Sequence, residues 1–432
     1  MNSPVQKNTT PKPRKNSIDL VFWGTISIFI TSLLGSIQIW VHVPLIPKAP
    51  TITLGFILGT TVITLTLGKI NLIIFRKSIF VFFNIFGLLI FFSTFYSKHP
   101  LITASQSLQA IIVLNCLYLL INQIKDTEKL FRYISIIAIT LSLIACLYAL
   151  AIIFFGSFNR IEGTTVTEIN FYDLSIMQVM SGRRISSFFG NPNLLGIQLM
   201  FSILMSLYLL VTRRNILYLL LIVIFLYVLL LSGSRASMVG LAVGVVFFVD
   251  RVFIKENTVS LIFHIFIFST ILLFTIFLYS SPEILDSISL AVGRKTSTLL
   301  SGREIAWTAL IEQAKKTPLA GIGYRISTEA VLVPESINIK HSHNIYLAFL
   351  VETGVIGLFL MVLFYFSAFY RHSFLKQKKQ IDILSIAALS TLLAFLTNQL
   401  FEDMYNPLYH YFLASTFCLF IGTKSKLPLK TP

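Results

Sequence analysis

Apolar runs close to the length of a bilayer crossing recur along nearly all of this 432-residue chain. That recurrence constrains the fold more than any single motif. A helix of about 20 residues crosses the hydrocarbon core, and backbone polar groups in lipid must be satisfied within the segment, so each run is expected to be helical. Twelve runs stand near residues 20–41, 51–75, 78–97, 102–121, 132–156, 193–212, 215–231, 236–250, 258–280, 344–370, 381–400 and 407–423. With 55% hydrophobic and 12% charged residues, the chain exceeds what a soluble core of this size needs. The expected class is an all-α polytopic membrane protein, with one transmembrane domain over 20–423. A polar tail at 1–19, expected to be disordered and cytosolic, leads into a retained first span, since no small-residue cleavage site follows it convincingly; a second cytosolic tail covers 424–432. Cys116, Cys146 and Cys418 lie inside apolar runs, with neither disulfide-framework nor zinc spacing.

Orientation follows from Lys and Arg, which short loops retain on the cytoplasmic side. With the N-terminus inside, 21 of the 34 basic residues are cytoplasmic and 13 lie outside. Ten of those 13 fall in two long loops, 157–192 and 281–343, where the rule is weak; the short outer turns hold only Lys48, Lys98 and Arg235. The net charge of +16 is therefore largely a topology signal and partly an attraction to anionic membrane lipids, and it is no argument for nucleic acid. Both termini are expected in the cytoplasm and both long loops outside it. Neither a P-loop pattern nor an Asp-x-Asp occurs, which fits a site that uses no nucleotide donor.

Four constellations on the outer side could carry chemistry. In LLSGREIAWTALIEQAKKTPLAGIGYRIS, residues 299–327, Ser301 and Glu304 are spaced as a capping box. Trp307, Leu310, Ile311 and Ala314 follow at helical spacing, and Thr317-Pro318 ends the run. The expectation is a short amphipathic helix on the outer membrane surface. Arg303 in its first turn is placed to bind an anion, and Gly321 and Gly323 permit a turn holding Arg325 near the same surface. In LLLSGSRASMVGLAVG, residues 229–244, two spans share only 35 residues, so the turn at 232–235 sits at the bilayer boundary. Two readings of Arg235 stay open there: snorkelling to lipid phosphates, or gripping a substrate phosphate with its planar fork. In SGRRISSFFGNPNLLG, residues 181–196, Asn191-Pro192-Asn193 reads as a turn and helix start; Arg183 and Arg184 are solvated loop charges or further phosphate ligands.

The fourth is HSHNIYLAFLVETGVIG, residues 341–357. On one continuous helix Glu352 is rotated by about 180° from His343 and lies about 13 Å deeper, so direct pairing is not expected. Gly354 and Gly357 suggest close packing on a neighbouring helix. Glu352 reads as a buried structural acid or as part of an ion path. An imidazole, with an ordinary pKa of about 6.5, can take a proton from a hydroxyl near neutral pH. His341 and His343 are therefore interfacial anchors or candidate bases.

Together, SGSRA at 232–236, the GRE…W…P…G.G run at 302–323, and HSHNIYL with ETGVIG at 341–357 resemble the bacterial O-antigen ligase and polysaccharide polymerase superfamily. The motifs cover about 190–360, and the twelve-span layout with a large outer loop, expected to carry the chemistry, is similar throughout. The resemblance implies transfer of a glycan from an undecaprenyl-diphosphate carrier to a glycan or lipid acceptor at the outer face of the cytoplasmic membrane, with no metal, nucleotide or other cofactor. It implies that His343, before its Asn-x-Tyr-Leu stretch, is the functional histidine, with His341 a second candidate. The diphosphate arginines fall on Arg235 and on Arg183 or Arg184, with Arg303 and Arg325 as further candidates. A different class, a transporter or flippase of lipid-linked glycan or of a small anion, draws on Glu352, with Asn398 and Gln399 as lesser support.

Overall fold

The computed structural model describes residues 22–23, 25–27, 78–124, 126–155, 157–161, 164–171, 174–180, 184–189, 191–253, 303–332, 342–373 and 383–402. Helices form there where the apolar runs place them: α1 (Ser78–Phe92), α2 (Pro100–Gln123), α3 (Thr127–Phe155), α4 (Pro192–Arg213), α5 (Leu217–Ser232), α6 (Arg235–Phe253), α8 (Ile345–Ser373) and α9 (Ile383–Asn398). Between α6 and α8 lies α7 (Arg303–Lys316), the helix expected in the second long loop. The expected spans at 51–75, 258–280 and 407–423, nearly all of 20–41, and both tails lie outside the described residues. Four stretches, Pro100–Leu120, Glu128–Ala151, Pro192–Arg213 and Ile345–Ser367, are long and apolar enough to cross a membrane, and three shorter apolar helices accompany them. The protein is a multi-pass membrane protein.

The outward faces fit lipid. Leu217, Leu220, Val223, Tyr227 and Leu230 of α5 are all exposed, a display a soluble surface would not tolerate. Inside the bundle, association rests on close backbone approach and on polar stitches, because lipid tails are as apolar as leucine. A Cβ on Gly240 of α6 would stand 2.5 Å from the Ala394 carbonyl of α9, and one on Gly244 would stand 2.9 Å from the Ser390 carbonyl. One on Gly196 of α4 would stand 2.4 Å from the Ser234 Cβ. Helix α4 is held to α3 by polar groups in its buried face: Ser142 and Ser202 hydroxyls lie 2.8 Å apart, and Gln198 Nε2 donates to the Ala138 carbonyl at 3.3 Å. Cys116 and Cys146 are buried thiols outside any disulfide.

In three places the structure adds to or departs from the expectation. The first long loop carries a short antiparallel meander of β1 (Ser157–Ile161), β2 (Thr164–Phe171) and β3 (Leu174–Met180), in register Ser157 with Glu168 and Thr165 with Met180. Helix α7 presents only part of the expected stripe to protein. Ala306, Leu310 and Ala314 are buried with Ile322, Ile326, Val331 and Val351, whereas Ile311 is exposed and Trp307 half-buried. A neighbouring helix, α8, receives this face of α7, so the buried arc is set by protein packing. Finally, α8 is not continuous: Gly354, at φ 66° and ψ −173°, interrupts it.

That interruption has a packing cause. Gly354 faces the backbone of the segment after α7, where an added Cβ would meet the Leu319 carbonyl oxygen at 2.1 Å. The close neighbour expected of this glycine is thus a loop backbone and not a helix. Hydrogen bonds lost by the helix are remade across this contact. Ile322 N–H donates to the Val351 carbonyl at 3.0 Å, Gly323 N–H to the Glu352 carbonyl at 2.9 Å, and Val355 N–H to the Pro318 carbonyl at 2.8 Å. Gly321 and Gly323, at φ 73° and 122°, supply the turn read from GIGYR.

Candidate active site

Five helix ends that the charge rule assigns to one side of the membrane meet in the structure. Asn191 caps α4, its side chain accepting from Asn193 N–H at 2.8 Å with Pro192 in the first turn, as the Asn-Pro-Asn sequence predicts. Gly233 ends α5 at φ 60° and lets α6 begin two residues on, at the exposed Arg235. The α6 start is tied to the α9 end by Asn398 Nδ2 donating to Ser237 Oγ at 3.1 Å. The α8 start is tied to the same end by Ile345 N–H donating to the Gln399 carbonyl at 3.1 Å and by Tyr346 O–H donating to the Leu396 carbonyl at 3.0 Å.

His343 sits just before α8, at φ 50°. Its neighbours fix it from both sides. Trp307 Nε1 of α7 donates to the Ser342 carbonyl at 2.9 Å, and Asn344 Oδ1 caps α8 by accepting from Tyr346 and Leu347 N–H, each at 3.0 Å. The imidazole Nδ1 lies 3.4 Å from Oε2 of Glu402, with 24% of the side chain exposed. It is therefore reachable from this end of the bundle while anchored from within.

Glu402, the second residue of FEDMYNP, is the acceptor on which the cluster converges. Its Oε1 accepts from Arg303 Nη2 at 2.5 Å and from Asn193 Nδ2 at 2.7 Å; its Oε2 faces His343. Arg303 Nη1 also donates to the Phe401 carbonyl at 2.6 Å. Asn193 passes the network on, because its Oδ1 accepts from Arg184 Nη2 at 2.6 Å, while Arg184 Nε donates to the Ser232 carbonyl at the end of α5 at 2.9 Å. Arginine can only donate and a carboxylate can only accept, so the orientation of the Asn193 amide is unambiguous. Burial by itself would raise the Glu402 pKa. The His343 hydrogen bond, then the charges of Arg303 and His343 and the Arg303 hydrogen bond, outweigh it and hold the carboxyl below its ordinary value.

The candidate residues thus separate. Arg184, Arg303 and His343 meet around Glu402, and Arg235 opens α6 at the same end. Arg184 and Arg303 spend much of their forks on this framework. Arg325, at φ 64°, belongs to the other docked segment, two residues before Ser327, whose hydroxyl donates to Glu352 at 2.6 Å. Glu352 is 2% exposed and binds this loop, while His343 faces Glu402. Arg183, His341 and Ser301 lie outside the described residues. Sequence reasoning passed over Glu402. The available signal was an acid in a short turn between two apolar runs, in a chain with only 18 acidic residues.

Residues 220–362 match the family described as O-antigen ligase. The match begins within α5 and ends within α8, taking in Arg235, Arg303, Arg325 and His343 but neither Arg184 nor Glu402. A curated relative, the exopolysaccharide production protein ExoQ of Rhizobium meliloti (strain 1021), is 38% identical over 86 residues. The aligned stretch is 18% of this chain and 20% of that protein, so the chain spans about a fifth of the relative's length. The resemblance to the O-antigen ligase and polysaccharide polymerase superfamily read from the motifs is borne out over this region.

Proposed function

We propose that this protein transfers a glycan from an undecaprenyl-diphosphate-linked donor to a hydroxyl of a glycan or lipid acceptor at the outer face of the cytoplasmic membrane, as an O-antigen ligase or polysaccharide polymerase does. One observation carries the reading: a histidine anchored at a helix start, facing a buried carboxylate, at the end of the bundle where three candidate arginines also lie. His343 takes the proton of the acceptor hydroxyl as that oxygen attacks the anomeric carbon; the carbon–oxygen bond to the diphosphate breaks, and the lipid diphosphate leaves with the electron pair. Cations placed where that charge develops stabilise it. Arg235, exposed at the start of α6, is the arginine best disposed to reach a phosphate, with Arg183 and Arg325 as further candidates. Arg184 and Arg303 then shape the site more than they bind donor. In this reading 157–192 and 281–343 are the outer loops and both termini are cytoplasmic.

His343→Ala, reconstituted in proteoliposomes, is expected to lower transfer by about 10²- to 10⁴-fold, the usual worth of a general base, with membrane levels unchanged. The substrate is the lipid-linked glycan that accumulates in cells lacking the protein. Transfer at the parental rate overturns the proposal.

One observation favours a transporter instead, namely a buried acid beside a broken helix. The backbone groups freed by that break, however, bond the 318–323 loop. Product formed in the same proteoliposomes without an ion gradient distinguishes the enzyme, since a transporter would move the lipid-linked glycan and leave it unjoined.

A further inference from the structure

We infer that Glu402 is the positioning residue of the site, holding His343 as the Nδ1–H tautomer so that Nε2 is the nitrogen that takes the acceptor proton. The inference rests on the transferase reading above and adds a residue that lies beyond the family match at 220–362. Three observations carry it. Glu402 is 5% exposed and anionic by virtue of its partners, so at Oε2 it can only accept. The ring atom facing that oxygen is Nδ1, at 3.4 Å. A neutral imidazole meeting an obligate acceptor at Nδ1 must carry its proton there, which makes Nε2 the basic nitrogen. The separation is long for a hydrogen bond, as such contacts often are before substrate binds.

The carboxylate is itself immobilised from the other side. Arg303 Nη2 and Asn193 Nδ2 both donate to Oε1, which fixes which oxygen is left for His343. This asymmetry makes the substitution Glu402→Gln informative. The two donors demand an oxygen at the Oε1 position, so the glutamine amide nitrogen must occupy the Oε2 position and donate toward His343. Nδ1 then has to accept, the proton moves to Nε2, and the base is blocked without any change of side-chain shape. A buried carboxylate of purely structural purpose would have no effect on the tautomer.

The test uses the full chain in nanodiscs, with ¹⁵N-labelled histidine and a His343→Ala sample to assign the signal. In spectra where the ¹⁵N shifts themselves report a neutral ring, parental His343 is expected as Nδ1–H and the Glu402→Gln variant as Nε2–H. Transfer by that variant should fall by about 10²- to 10⁴-fold. An Nε2–H tautomer in the parent overturns the inference outright, whether or not any variant folds. Parental transfer by a folded Glu402→Gln variant also overturns it. If His343→Ala is inactive in that case, the transferase reading stands and only the role of Glu402 fails; if His343→Ala is fully active, the transferase reading fails first.

Discussion

Replacing Arg303 with alanine is expected to destabilise the fold by about 3–5 kcal/mol, because it removes the charge opposite a buried carboxylate and leaves that carboxylate in place. The guanidinium closes two bonds, to Glu402 and to the Phe401 carbonyl, so the truncation also strips a backbone acceptor of its donor. The pH dependence should change with it. In the parent the Glu402 pKa is lowered in the folded state. A lowered carboxyl contributes stability that is fully present above its unfolded value, about 4.3, and lost as pH falls through the folded value. Without Arg303, burial is less opposed and the folded pKa moves up, so the variant regains ground on acidification as Glu402 takes a proton. Thermal unfolding of parent and variant in nanodiscs, from about pH 4 to about pH 8, reads this directly. The gap between them should be widest near neutrality and narrow toward acid. A gap that does not vary with pH would show that Arg303 does not compensate Glu402.

Gly354→Ala is expected to cost about 2–6 kcal/mol, taking roughly 1–3 for a non-glycine residue at this backbone conformation and roughly 1–3 for overpacking. Its φ of 66° with ψ −173° lies in a region that only glycine enters readily. The added methyl would meet the Leu319 carbonyl carbon and oxygen and Ala320 N, at 2.1–2.6 Å. All three are backbone atoms of the docked loop, which no rotamer change can clear. Relief requires 318–323 to lift off α8, breaking the three backbone bonds that join them. Limited proteolysis should therefore open this segment in the variant, with a matching fall in melting temperature. Gly87→Ala is the control, since the three atoms nearest its methyl all belong to the side chain of Ile111 and none to backbone. Equal protease resistance in the two variants would refute the account of the break.

These two residues also mark how far the sequence could be read. Span positions were legible because a bilayer imposes a length and a composition on each crossing segment, and α2, α3, α4 and α8, which are long and apolar enough to cross, fall where that rule puts them. Caps and turns were legible for a local reason: Asn191-Pro192-Asn193 and GIGYR specify backbone geometry within a few residues. The break at Gly354 was not, because the apolar pattern continues through it and only the approach of a loop 35 residues earlier demands it. The buried face of α7 was legible only in part. Helical spacing allows several apolar arcs, and contact with α8 selects the one containing Ala306, Leu310 and Ala314.

For the site, sequence by itself determined which residue types stand ready for the proposed chemistry: a histidine before Asn-x-Tyr-Leu, arginines in the long loops and the 232–235 turn, and a carboxylate at 352 turned away from that histidine. Only the tertiary structure decided which charges meet. Glu402 lies 59 residues from His343, 99 from Arg303 and 209 from Asn193. Separations of that size carry no periodicity, so nothing local in the chain can announce the pairing. It follows from α4, α6, α8 and α9 bringing their ends to one place, where a buried carboxylate must find donors and these are the donors present.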